Sequence, residues 1–107
     1  MSTVLVKLSD IERQRAQSGK SYREILRVPA MSAGLYVLPV RGLDLQRPHH
    51  EDEIYYVVRG RARFEAEGED REVSAGSIIF VAAETEHRFH DITEELAVLV
   101  MFAPSET

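Results

Sequence analysis

The stretch Arg61–Ser77, RARFEAEGEDREVSAGS, alternates in its first half and turns twice in its second. Ala62, Phe64 and Ala66 fall on one side of an extended chain, and Arg61, Arg63, Glu65 and Glu67 on the other. A period of two with one apolar side is the pattern of a half-buried antiparallel strand. EGEDRE then supplies the Gly and Asp of a hairpin loop, its carboxylates reading as a solvated turn. SAGS around Gly76 reads as a tight turn before the next strand.

Outward from that stretch the pattern repeats. YREILRV, AGLYVLPV, IYYVV, SIIFVAA, HRFHDI and LAVLVMFA are short apolar runs separated by Gly, Pro and charged residues. Such spacing predicts an all-β chain of six or seven short strands, a small antiparallel barrel or jelly roll, lined by Leu38, Phe80, Phe89, Val98 and Met101. One short N-terminal helix is expected at LSDIERQRAQSG, with Ser9 as N-cap, Glu12 completing a capping box and Gly19 as the stop. With 107 residues, 44% of them apolar, the chain is expected to be one domain built on one core.

Charge and composition exclude some functions. A net charge of -5 opposes nucleic acid and anionic membrane as partners, since both require clustered Lys and Arg. The longest apolar run, Leu96–Ala103, is far short of the roughly 20 residues that span a bilayer. No signal-peptide pattern opens the chain, so a soluble, cytoplasmic protein is expected. Cysteine is absent; a metal would have to be held by His and carboxylate. VLVKL near the N-terminus and VLVMF near the C-terminus read as exposed edge strands, which predicts a two-fold homodimer.

Ligand-type residues concentrate in QRPHHEDEIYYVVRG, Gln46–Gly60. Read as a strand, this segment points Arg47, His49, Glu51, Glu53, Tyr55 and Val57 one way and His50, Asp52, Ile54, Tyr56 and Val58 the other. In ETEHRFHDI, His87, Phe89 and Asp91 share a face, opposite Arg88 and His90. His49, Glu53 and His87 converging in a barrel mouth would be a donor set for Fe, Mn, Ni or Zn with coordination positions left open. The same residues also fit a solvated His-rich loop and a lone strand histidine. Tyr55 and Tyr56 read as core and rim packing rather than as catalytic acids, with Tyr55 retained beside Arg47 as a candidate substrate contact. His90, outward and near Asp91 and Glu94, reads as structural.

The two histidine segments resemble the paired motifs of the cupin family, and the likeness runs from YREILRV to VLVMFAP. The first motif has a Gly, then His-x-His, a Glu after three or four residues, and a Gly after six more. Glu53 and Gly60 enclose IYYVVR, and counting back from Glu53 sets the second histidine on His49. The first histidine falls on Arg47, a departure, and Gly42 stands one residue too near. The second motif, Gly, five residues, Pro-x-Gly, two residues, His, three residues, Asn, is similar to GSIIFVAAETEHRFHD. Gly76 and His87 match, Ala82-Ala83-Glu84 replaces Pro-x-Gly, and Asp91 replaces Asn.

This resemblance implies a small double-stranded β-helix over residues 1–107, with the motifs at about 42–60 and 76–91. It also implies a divalent metal held by three His and one Glu, a set that Arg47 breaks because a guanidinium has no lone pair to donate. Three arrangements fit: His49, Glu53 and His87 alone, with Arg47 as an anion anchor; the same with His50 as fourth ligand, if a bulge at Pro48 turns it inward; or a metal-free pocket. In the register read here, Glu51 and Asp52 stay in solvent or brace the imidazoles. The implied functions are a small metalloenzyme of oxygenase, isomerase or lyase type, or a non-catalytic module that binds a small organic anion.

Overall fold

The computed structural model describes residues 3–45 and 48–107. In chain order its elements are α1 (Leu8–Ser18), β1 (Tyr22–Val28), β2 (Met31–Leu38), β3 (Asp52–Ala66), β4 (Glu69–Ser74), β5 (Ile78–Val81) and β6 (His87–Ala103). The expected hairpin closes on Glu67 and Gly68, whose φ values of 50° and 77° belong to the mirror-image turn that matches the natural twist of paired strands.

Four of the apolar segments merge into two long strands. IYYVV and ARFEAE are halves of β3, and HRFHDI and LAVLVMFA are halves of β6. The two strands pair antiparallel from Asp52↔Ala103 to Ala66↔His87, with register shifts between Val57 and Arg63. Each shift bends the ribbon without ending it. The first half of β3 therefore also pairs with β5, and the second half with β4. β2 joins the other side of β6 and β1 follows it. The bend depends on Gly60, whose φ is +102° and where a Cβ would come within 2.2 Å of the Glu95 carbonyl oxygen.

Tyr55, Val57, Phe64, Phe89, Ile92, Val98 and Phe102 form the main core. On the opposite face of β2, Leu35 and Val37 pack with Ala97 and with Ile11 of α1. Arg59 ties the helix to the bend, its guanidinium 2.9 Å from Glu12 and 2.6 Å from Glu95.

Several sequence expectations shift. Lys7, not Ser9, occupies the cap position, and no side chain caps the helix. Ser9 lies inside the first turn, and Glu12 is taken by Arg59. Gly19 does end the helix, in the left-handed conformation with φ 70°. Of the expected lining residues, Leu38, Phe89 and Val98 are buried, while Met101 is half-buried and Phe80 is exposed. Neither expected edge strand is one. Residues 4–7 lie outside any strand, and VLVMF lies within β6, paired on both sides. Exposed apolar surface gathers instead where Ile54↔Phe80 and Tyr56↔Ile78 face outward on β3 and β5.

Candidate metal centre

The parity read from the sequence holds at the start of β3. Glu51, Glu53, Tyr55 and Val57 are buried, while His50, Asp52, Ile54 and Tyr56 are exposed. β6 brings His87 in from the far end of the β3–β6 ladder, and the loop before β3 brings His49. Donor atoms of His49, Glu53 and His87 all lie within 4.8 Å of one another.

The electrostatics of this trio are unusual. The Glu53 and His87 side chains are each 1% exposed, with His87 Nε2 2.6 Å from Glu53 Oε1. At that separation a protonated Nε2 makes a charge-assisted hydrogen bond to the carboxylate. Apart from His87, no donor meets either of the two buried Glu53 oxygens. His87 Nδ1 is 2.7 Å from the Thr85 carbonyl oxygen. A carbonyl can only accept, so Nδ1 carries a proton and donates it. In the neutral ring Nε2 is then an acceptor, met by the Tyr55 hydroxyl but facing a carboxylate at 2.6 Å, and a cation between the two relieves that repulsion. Without a metal that cation is a proton. Burial opposes the imidazolium, but the Glu53 carboxylate and the Thr85 carbonyl outweigh it and hold the His87 pKa above the ordinary histidine range. Tyr55, 0% exposed, supports the ring from the core with its hydroxyl 3.2 Å from His87 Nε2. The tyrosine expected to contact substrate thus contacts His87.

The remaining residues separate clearly. His50 points outward, 2.5 Å from the Glu84 carboxylate, which raises its pKa. It does not join the trio. Arg47 lies outside the described residues. Asp91 leaves the face of His87 and Phe89 because its φ of 47° marks a kink that turns it to solvent. His90 pairs with Asp70 at 2.9 Å and with Asp91 at 3.6 Å, a surface role. Asp52 is exposed, as expected, and accepts the Ala83 N–H. Of the two expectations for Glu51, solvent is overturned: it is 3% exposed, on the inward face its parity gives it.

Sequence reasoning missed the surroundings of His49. Tyr22 and Tyr36 of β1 and β2, with Val100, Phe102 and Glu106, enclose a cavity of about 240 Å³ against the imidazole. The Tyr22 hydroxyl is buried there without a partner, and its pKa is pushed up by burial first and by Glu106 second. Nothing in the sequence marks these residues, since only strand pairing brings them to His49.

The cupin-domain family model matches residues 34–103. The chain belongs to the cupin family. An uncharacterised protein of Streptomyces coelicolor is 43% identical over 101 residues, covering 94% of this chain and 96% of that one. The structure of KdgF from a Halomonas species superposes with a TM-score of 0.71 at 25% identity, over 78% of each chain. TT1209 of Thermus thermophilus shares the fold at a TM-score of 0.75 and 18% identity, over 94% of this cupin and 97% of that chain. The fold of this cupin is the expected double-stranded β-helix. Among its described residues no helix is long and apolar enough to cross a membrane.

Proposed function

We propose that this cupin binds one divalent ion, Fe, Mn, Ni or Zn, through His49, Glu53 and His87, and uses it on a small molecule admitted to the barrel mouth. One observation carries the reading: a buried carboxylate that no donor but His87 approaches, set 2.6 Å from that imidazole nitrogen and within ligand distance of His49. Such a pair is costly unless a cation occupies it. When bound, the metal would polarise a substrate oxygen or activate dioxygen, which favours oxygenase-type chemistry, with isomerase and lyase types as the other members of this class. Thr85 fixes the tautomer of His87, and the core beneath Tyr55 keeps water from the inner side of the site. To hold a cation His87 would have to release its Nε2 proton, so affinity is expected to rise with pH.

The second reading is a non-catalytic module for a small organic anion. Glu51, Glu53 and Glu106 crowd the described surroundings of His49, and an anion would enter that field favourably only alongside a bound cation. Metal analysis of untagged protein separates the two readings: near-stoichiometric Fe, Mn, Ni or Zn is expected, and less than about a tenth of an equivalent after growth in supplemented medium would reject the metal site.

A further inference from the structure

We propose that Glu106, carried by the segment after β6, is the positioning residue for His49, holding the Nδ1 side of the ring so that Nε2 is presented to the ion. The inference rests on the metal-binding reading above. Glu106 Oε2 lies 3.6 Å from His49 Nδ1, with the two side chains 28% and 16% exposed. This is about half an ångström beyond hydrogen-bond range, and a small rotation of either side chain closes it.

The segment is anchored as a strap. The Ser105 N–H meets the Pro29 carbonyl, and the Glu106 N–H donates to Ser32 Oγ at 2.9 Å. Arg27 donates to the Glu106 carbonyl. The Thr107 hydroxyl donates to Glu51 at 3.2 Å. Ser32 is 0% exposed and Glu51 3%, so two buried polar groups have the strap as their partner. These anchors hold the Glu106 side chain near His49, whose ring also meets Phe102 edge-on at 5.1 Å between centroids. The trio's second imidazole, His87, shows the arrangement fully closed, its Nδ1 held by the Thr85 carbonyl at 2.7 Å. An imidazole whose far nitrogen is engaged by an acceptor is fixed in tautomer and orientation, and losing that acceptor commonly weakens metal binding by about 10- to 100-fold.

Co²⁺ titration of the full chain, followed by visible absorption, tests the assignment. Glu106→Ala should weaken Co²⁺ binding by about 10-fold or more, with Glu106→Gln intermediate. Band positions should be unchanged in both variants, because the donor set is intact. Metal-free melting temperatures should match that of the wild type, which separates positioning from a purely structural role. Affinity within roughly twofold of wild type in Glu106→Ala would overturn the proposal. Shifted bands would also overturn it, by making Glu106 a direct ligand. Failure of the underlying reading looks different: wild-type protein that takes up no Co²⁺ removes the metal site and this role together.

Discussion

Replacing Glu53 with Met should make the metal-free protein more stable while abolishing metal binding. Both Glu53 oxygens are buried with no donor but His87, and each such atom left unmet costs about 1–3 kcal/mol. The opposing term is the contact with His87, also 1% exposed; once Glu53 is gone, His87 can become neutral and keep its Nδ1 bond to Thr85. With His87 neutral no buried charge is left behind, so replacing the carboxylate by an apolar group removes the penalty of its unmet oxygens, and Met is flexible enough to fill the space. A net gain of about 1–2 kcal/mol would raise Tm by roughly 4–15 °C in a chain of this size. The assay is thermal unfolding in excess chelator at a pH above the folded pKa of His87, where no proton bridges the pair, repeated with Co²⁺ or Zn²⁺. Metal should raise the wild-type Tm, by about 2.7 kcal/mol in stability at a hundredfold excess over Kd, and leave the variant unmoved. A lower Tm for Glu53→Met in chelator would refute the reasoning, because it would mean that the carboxylate stabilises the fold without a cation.

The trio predicts unequal histidines: His49→Ala and His87→Ala should lose bound metal by elemental analysis, while His50→Ala and His90→Ala keep it, and equal behaviour within either pair would reject the parity argument. In the metal-free protein the pKa of His87 is raised in the folded state, so its contribution is fully present below the unfolded value of about 6.5 and is lost as pH rises through the folded pKa. The urea midpoint in chelator should accordingly fall on the alkaline side of that range, and the fall should vanish in His87→Gln. We also propose that two copies associate through the outward face of Ile54, Tyr56, Ile78 and Phe80, the largest of these exposures being 73% at Ile78. Light scattering should then give a dimer mass for the wild type and a monomer mass for Phe80→Glu, whereas a monomeric wild type would remove the dimer.

Local pattern was enough for much of the molecule. The alternation of RARFEAE, the Glu67-Gly68 turn and the inward parity of His49, Glu53 and Tyr55 were legible because side-chain direction in a strand depends only on the residue's place in a two-residue period. The stop at Gly19 was legible because a left-handed residue favours glycine. The spacing from Glu53 to Gly60 and from Gly76 to His87 was enough to indicate the cupin fold. What sequence could not supply depended on partners distant in the chain. VLVMF reads as an edge, yet β2 and β3 flank it on both sides, since pairing order is set by the whole topology. Phe80 reads as core, yet β5 lies beside the half of β3 whose Ile54 and Tyr56 face outward. Asp91 has the right spacing for an inward residue, yet its left-handed backbone turns it to water. Glu106 comes near His49 only because the β1–β2 hairpin, through Pro29 in its turn and Ser32 of β2, catches the segment beyond β6. The sequence determined which residues could be donors and which way a strand would point them; the tertiary structure alone decided which met, because convergence of charge from separate strands is a property of register and topology, not of local period.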